Sequence, residues 1–283
     1  MPNDGGNLLL TDVEEHELVD KEPAAARWVR PFLSADEFIN RTNRWCLWLA
    51  DCPPNLLKAM PLVAARVAAV RKHRLDSERA TTKALAATPT LFGENRQPAG
   101  PYILVPRHSS ERRPFVPMGF FDRGEIVGDS NLCIPDATLF EFGVLGSTMH
   151  NAWIRYTCGR LESRYRYSAS IVYNNFPWPQ NATDAQKLKI EAAAQIVLDA
   201  RAAHPNASFA DLYGPLMPPN LVKAHRKLDA AVDAAYGRKG FKNDAERVAF
   251  LFELYQKYTS LLPAVVTPKG RRRPAARSRS KGS

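Results

Sequence analysis

Proline and glycine are distributed differently in the two parts of this chain, and the change falls at Pro179. Between residues 101 and 135, these breakers separate short runs of β-prone residues, which predicts several short, antiparallel strands. After Pro179, helix-start signals precede long stretches without either residue type. We therefore predict an α+β fold, with a mixed helix and antiparallel-sheet domain over 1–179, a small all-α domain over 180–264 and a disordered basic tail over 265–283.

Local patterns predict individual elements within the first domain. Residues 1–40 have mixed composition interrupted by two prolines, which is typical of a linker-like lead-in. The apolar run 45–49 predicts a buried strand, and residues 62–87, which contain neither Gly nor Pro, predict one long helix. Residues 138–159 predict one or two helices broken near Gly146, and 165–172 predict a further strand.

The charge of the chain is unevenly distributed. The net charge is +10, and residues 41–123 carry 14 Lys and Arg against 6 Asp and Glu. A folded segment this basic favours a polyanionic partner, with nucleic acid first. A solvated basic face without a partner explains the composition equally well. The tail from residue 268 adds seven Lys and Arg and no acid, which can supply only non-specific affinity.

Several classes of protein are not indicated. No run approaches 18 uninterrupted apolar residues, so we predict no transmembrane helix and no membrane partner. The first residues lack a basic and then apolar signal segment, so we expect a cytoplasmic protein. The four cysteines are scattered without paired spacing, which predicts reduced thiols and no zinc site: Cys46, Cys52, Cys133 and Cys158.

The sequence also lacks recognisable catalytic and cofactor-binding motifs. The sequence contains no phosphate-binding loop, dinucleotide fingerprint, nucleophile elbow or zinc-protease motif, so we predict no catalytic residue, cofactor site or metal site. One enzymatic alternative stays open. Asp136 follows a proline and Glu162 stands two residues before Arg164, which nearly matches a Mg²⁺-dependent DNA nuclease signature. Arginine stands where that signature has lysine, and arginine cannot act as a base.

The stretch 160–168 offers the most informative polar pattern. If it is one extended strand, Arg160, Glu162, Arg164 and Arg166 project to one side. Such a row suits base reading in DNA, because arginine donates two hydrogen bonds to guanine and glutamate accepts one from cytosine. The alternative is an ordinary exposed strand face with Arg–Glu pairing. The basic segment 41–123 favours DNA.

Five segments of the sequence resemble segments of one known protein family. Residues 39–49, 149–153, 159–168, 173–179 and 244–262 resemble the C-terminal part of the MmeI-like restriction–modification enzymes. These single-chain enzymes join a nuclease, a helical spacer, an adenine-N6 methyltransferase, a target recognition domain and a helical C-terminal domain. The resemblance implies that 1–179 is the target recognition domain. It also implies that Glu162, Arg164 and Arg166 read bases, with Arg160 as a further candidate.

The resemblance also defines what is missing. The family's S-adenosylmethionine motif and catalytic Asn-Pro-Pro-aromatic loop do not occur in the sequence. We therefore expect a recognition module that binds double-stranded DNA but does not itself methylate. Either a separately encoded methyltransferase or nuclease chain completes it, or it is an inert fragment of a broken gene. The candidates for phosphate contacts are Arg41, Arg44, Arg71, Arg74, Arg112 and Arg113. The DNA sequence and the oligomeric state stay open.

Overall fold

The structure is a computed structural model that describes residues 2–260. Its strands are β1 (Leu9–Leu10), β2 (Val29–Leu33), β3 (Trp45–Leu47), β4 (Tyr102–Pro106), β5 (His108–Ser109), β6 (Gly119–Phe121), β7 (Ile126–Val127), β8 (Asn131–Pro135), β9 (Gly159–Leu161) and β10 (Arg164–Arg166). Its α-helices are α1 (Asp12–Lys21), α2 (Ala35–Asn40), α3 (Pro54–Lys58), α4 (Pro61–Leu75), α5 (Ala80–Ala84), α6 (Leu139–Leu145), α7 (Thr148–Thr157), α8 (Asp184–Ala202), α9 (Phe209–Leu212), α10 (Pro219–Ala235) and α11 (Asp244–Ser260). Short 3-10 helices cover Pro23–Trp28 and Leu85–Ala87, and a π-helix covers Ala169–Tyr173. The predicted basic tail lies outside the described residues.

The strands form three small sheets, which confirms the predicted α+β class. The sheets have the strand orders β1-β3-β2-β7, β6-β4-β8 and β5-β10-β9. Their pairs are antiparallel, as predicted, except that β2 and β7 run parallel, with Phe32 opposite Ile126. Between Pro179 and Ser260 the chain forms helices and no strand, as predicted.

Residues 1–40 are not a linker-like lead-in, contrary to the prediction. Strand β1 pairs with β3, and β2 lies between β3 and β7. Leu8 and Leu10 are fully buried in a cluster with Val63 and Val70 of α4. The prolines that suggested a linker start a 3-10 helix at Pro23 and lie within β2. The segment is therefore part of the core.

The predicted long helix over 62–87 is interrupted. Helix α4 ends at Leu75, and α5 and a 3-10 turn follow after a short break. Ser77 lies in this break, and its hydroxyl accepts a hydrogen bond from the Arg79 backbone N–H at 3.2 Å. Such side-chain bonds compete with helical ones. The break lets the chain fold back onto α4.

The later helices begin where their capping residues predict. Thr138, Ser147, Thr183 and Ser208 each accept a hydrogen bond from a backbone N–H in the first turn of α6, α7, α8 and α9. Helix α6 ends at Leu145 with Gly146 as its C-cap, so the one or two helices predicted over 138–159 are two, with the break at Gly146 as predicted. These caps satisfy backbone donors that a helix cannot satisfy internally.

Helices from both sides of Pro179 share one hydrophobic core. Helices α6 and α7 pack with α8, α10 and α11 in a single cluster of buried residues. At the centre of the α6–α8 contact, a Cβ atom placed on Gly143 would lie 2.6 Å from Ile190 Cγ2. The absence of a side chain at residue 143 therefore allows the two helices to approach closely. The boundary between the two domains at residue 179 stays a prediction.

A buried arginine of α8 extends this contact. Arg201 donates hydrogen bonds from Nη1 to the Met118 carbonyl at 2.7 Å and from Nε to the Tyr213 hydroxyl at 2.6 Å. Its guanidinium also lies over the rings of Phe142 and Tyr213. The same hydroxyl is 3.0 Å from His225 Nε2. The polar groups of this network thus connect the sheet region to α8 and α10.

Candidate nucleic-acid interface

Three short strands form the frame of the candidate interface. Strand β10 pairs with β5 on one side and with β9 on the other. Tyr165 lies opposite both Ser109 and Arg160, and Arg166 lies opposite both His108 and Gly159. Residues directly opposite each other in an antiparallel pair place their side chains on the same side of the sheet. The register therefore sorts the side chains into two faces.

The two faces differ sharply in burial. Tyr165 and Ser109 are buried, so their face is turned toward the protein core. Arg164 and Arg166 flank Tyr165 in β10 and are exposed, so the opposite face is turned outward. We call this the outward face and define it by His108, Gly159, Leu161, Arg164 and Arg166.

The predicted single strand over 160–168 is wrong, because the chain turns at Glu162 and Ser163. Leu161 pairs directly with Arg164, so these two residues form the tip of a hairpin. Glu162 has a φ of 55°, in the left-handed region that non-glycine residues rarely adopt. Its carboxylate accepts a hydrogen bond from Arg164 Nη2 at 2.7 Å. Glu162 and Arg164 thus remain neighbours through the turn rather than along one strand.

Arg160 does not lie on the outward face, contrary to the predicted row. It is opposite Tyr165, and its guanidinium carbon is 4.3 Å from the centroid of the Tyr165 ring. Its Nη1 also donates a hydrogen bond to the Ser163 carbonyl at 3.0 Å. Both contacts hold Arg160 against the hairpin itself. Arg160 is exposed, as Arg164 and Arg166 are, but it packs on the Tyr165 side of the hairpin, and its role in base reading stays a prediction.

A third arginine, which sequence reasoning missed, adds to the positive charge of this region. This residue is Arg107. Burial lowers the pKa of His108, and the cations Arg166, Arg164 and Arg107 lower it further, so all three arginines lie near this imidazole. Arg107 connects β4 to β5, and its Nε donates to the Asn131 carbonyl at 3.2 Å. No local motif marks Arg107. Its position next to a β-prone run in the basic segment is the one signal that could have suggested it.

The loop after β5 brings one predicted phosphate contact to the hairpin. The pKa of Glu111 is lowered by a hydrogen bond from its own backbone N–H, then by one from the Ser163 side chain, with smaller effects from Arg112 and Arg160. Arg112 is exposed, and it follows Glu111, whose carboxylate bonds Ser163 of the turn, so Arg112 lies beside the hairpin tip. The neighbouring Arg113 is half-buried, and burial lowers its pKa.

The hairpin is fixed to the core immediately after β10. The Tyr167 backbone N–H donates to the Arg107 carbonyl at 2.7 Å, and its buried hydroxyl is 2.9 Å from His150 Nε2 in α7. Burial lowers the pKa of His150 to about 3, so this imidazole is neutral. The strand predicted over 165–172 is shorter than expected, because β10 ends at Arg166 and a π-helix begins at Ala169. The outward face is thus anchored to α7 and to β5 by hydrogen bonds.

The other predicted phosphate contacts lie elsewhere. Arg41 ends α2, and its guanidinium donates to the Pro205 carbonyl before α9. Arg44 is 3.5 Å from the Glu37 carboxylate and is half-exposed. Arg71 is exposed on α4. The roles of Arg41, Arg44 and Arg71 stay predictions, as do those of Arg112 and Arg113.

Arg74 cannot contact a phosphate, so this prediction is wrong. Its side chain has no exposed surface. The guanidinium donates to the backbone carbonyls of five residues at 2.7–3.1 Å, namely Pro2, Asn3, Leu85, Thr88 and Leu91. These bonds hold the N-terminal segment and the 85–91 turn against α4. Arg74 is therefore a structural residue.

The carboxylates of the nuclease alternative are not brought together. Asp136 follows the end of β8, and its backbone N–H bonds the Pro101 carbonyl before β4. Glu162 lies in the hairpin beyond the opposite end of β4, a separation of at least the strand's length, roughly 13 Å. The Glu162 carboxylate is paired with Arg164. The two side chains therefore cannot share one Mg²⁺ ion, and the nuclease hypothesis is wrong on geometry.

Between residues 2 and 260, no group of three or more His, Cys, Asp or Glu side chains is placed to hold a metal ion. In the same range, none of the helices has both the length and the apolar character needed to cross a membrane. All four cysteines are free thiols, as predicted.

Comparison with known proteins agrees with this architecture. The family model of the MmeI target recognition domain matches residues 1–180, and that of the MmeI C-terminal domain matches residues 182–263. The chain belongs to the MmeI family. Its resemblance to MmeI-like enzymes, expected from five segments of sequence, is thereby confirmed. The two family matches meet within a few residues of Pro179.

Two relatives of this MmeI-family chain are informative. It is 39% identical over 260 residues to DNA methyltransferase A of Bacillus subtilis (strain 168), which covers 92% of this chain and 29% of that protein. It is 50% identical to a solved structure of the Type IIL restriction–modification enzyme MmeI in complex with DNA, with a TM-score of 0.89. That match covers 92% of this chain and 35% of the MmeI chain. The chain thus spans about a third of the length of these relatives.

Proposed function

We propose that this chain binds double-stranded DNA and reads a short sequence in the major groove through its outward face. The observation that carries the proposal is the exposed pair Arg164 and Arg166, directed to one side of a hairpin that is anchored to the core and lies beside Arg107. Guanidinium groups are suited to this task, because each can donate two hydrogen bonds to guanine O6 and N7. The relative MmeI, which is 50% identical, was solved in complex with DNA.

The ion pair at the hairpin tip fits the same role. Glu162 and Arg164 are both exposed and bonded to each other, so neither charge is buried when DNA is absent. Exposed ion pairs contribute little to stability, and the pair can open at small cost. In the complex, Arg164 would donate to guanine and the Glu162 carboxylate would accept from the amino group of cytosine. The pair therefore keeps two base-reading groups in place before binding.

Arginines outside the hairpin would set affinity rather than sequence preference. We assign phosphate contacts to Arg112 beside the hairpin and to Arg41, Arg44, Arg71 and Arg113. Contacts with phosphates release bound counterions, so each makes binding more sensitive to salt. We further propose that the chain supplies target recognition to an adenine-N6 DNA methyltransferase in the cytoplasm. The residues that bind S-adenosylmethionine would belong to the methyltransferase and not to this chain. These assignments rest on the family resemblance.

Selection of bound duplexes from a randomised pool tests the proposal directly. The full chain is expected to enrich one short, asymmetric sequence, and Arg164→Ala is expected to relax the preference at one base pair. Arg160→Ala provides the matched control, because Arg160 belongs to the same hairpin but lies on its other face. Equal loss of affinity on all sequences for Arg164→Ala would contradict base reading, and the absence of any enriched sequence would contradict the function.

A further inference from the structure

The outward face contains one large apolar side chain among its cations. Leu161 is 48% exposed at the hairpin tip. Its direct cross-strand neighbour is Arg164, and Arg166 is the next residue of β10 on the same face. A lone exposed leucine is common on protein surfaces. Leu161 differs because its neighbours on this face are the charged groups proposed to read bases.

The backbone around Leu161 is well constrained. It is followed by the Glu162 turn and paired with Arg164. Arg160, the residue before it, is held by the Tyr165 ring and by the Ser163 carbonyl. The backbone at this position is therefore already ordered, so a contact made by Leu161 carries no further cost in backbone entropy.

The face is also open next to Leu161. Gly159 is the next residue of β9 on this side and lies opposite Arg166. A Cβ atom at Gly159 would meet only the Arg166 Cβ, at 3.9 Å, so nothing in the fold requires a glycine there. The missing side chain leaves space between Leu161 and Arg166 where a base edge could approach.

Only one apolar group is presented by base edges in the major groove of unmodified DNA, the C5-methyl group of thymine. Guanine and cytosine present acceptors and donors, which suit the arginines and Glu162. We propose that Leu161 contacts a thymine C5-methyl group next to the bases read by Arg164 and Arg166. This inference rests on the proposed function and extends it to a further specificity-determining residue.

Replacement of thymine by uracil removes only the methyl group and so isolates this contact. In the sequence enriched by the full chain, each thymine is replaced in turn, and the dissociation constant is measured by fluorescence anisotropy. Burial of one methyl group corresponds to about three- to fivefold in affinity. We expect the wild-type chain to bind one uracil duplex three- to fivefold more weakly, and Leu161→Ala to bind the thymine and uracil duplexes equally.

A matched variant controls for general loss of apolar surface. Leu216 is 93% exposed in the loop before α10, and Leu216→Ala should keep the full preference for thymine. The inference is overturned if the wild type binds every uracil duplex as well as the thymine duplex, or if the enriched sequence contains no A·T pair. Lack of any enriched sequence would instead overturn the proposed function, and this inference with it.

Discussion

The guanidinium of Arg160 lies over the ring of Tyr165, at 4.3 Å from its centroid. Both side chains are on one face of the hairpin, and the Arg164 side chain is on the other face. We therefore expect these two arginines, four residues apart, to have different roles. Arg160→Ala should lower the free energy of unfolding by about 0.5–1 kcal/mol, the usual contribution of an exposed cation–π contact. It should leave the base preference unchanged. Urea unfolding and duplex selection on the same variant check both statements, and a changed base preference would place Arg160 on the reading side.

Arg74 and Arg71 belong to one helix but should respond differently to substitution. Arg74→Met removes a fully buried guanidinium and leaves five backbone carbonyls without this donor, so we expect a loss of about 3 kcal/mol in unfolding free energy. Arg71→Ala should leave stability unchanged and reduce the slope of log K against log salt by about 1. Thermal unfolding and salt titrations of DNA binding measure these effects. A stable Arg74→Met variant with a reduced salt slope would restore the original assignment.

The buried histidine of the Arg201 network makes stability depend on pH. Burial, with a smaller effect from Arg201, lowers the pKa of His225 to about 3, against an ordinary value of 6.5. Below pH 6.5 the unfolded chain therefore binds a proton that the folded chain does not, and stability falls as pH decreases toward 3. Between pH 6 and 4, the free energy of unfolding of the wild type should fall by about 1.4 kcal/mol per pH unit more than that of His225→Gln. Parallel slopes in urea unfolding would contradict this.

Substitutions at Gly143 and Gly159 test core packing and DNA contact separately. Gly143→Ala places a methyl group 2.6 Å from Ile190 at the α6–α8 contact. Overpacking costs about 1–3 kcal/mol, and the better helix propensity of alanine offsets about 1 kcal/mol of it. We expect a net loss of about 1 kcal/mol in unfolding free energy, with unchanged affinity for DNA well below the melting temperature.

Gly159→Ala should show the opposite behaviour. Its new methyl group meets the fold at an ordinary distance but occupies the open part of the outward face. Stability should be preserved, and affinity for the enriched duplex should fall several-fold while affinity for random duplex is kept. Equal affinities of this variant and the wild type for the enriched duplex would indicate that bases do not approach Gly159.

Local chemistry made part of this fold predictable from sequence. Capping residues such as Thr138 and Thr183 act on the backbone within one turn, so the starts of α6 and α8 follow from neighbouring residues. The same holds for the break at Gly146. The short strands between residues 101 and 135 were predictable because proline and glycine mark their ends.

The errors arose where distant contacts decide the outcome. Glu162 is not a typical turn residue, although Ser163 is, and β10 also pairs with β5, about 55 residues earlier in the chain. Arg74 follows Val67 and Val70 at helical spacing on the buried side of α4, whereas Arg71 lies on the exposed side. Periodicity could therefore have separated the two arginines, but the carbonyls that Arg74 bonds come from the N-terminus and from the 85–91 turn, which the helix sequence alone does not reveal.

The insertion of Arg201 beneath the sheet region has a practical consequence for domain exchange between relatives. A graft joined at residue 180 would separate this arginine from the Met118 carbonyl and the Phe142 ring, and would cut through the packing of Gly143 on Ile190. A transplant limited to residues 107–113 and 159–166 would leave the Arg201 and Gly143 contacts in place, because those segments carry the outward face and include none of the residues that make these contacts.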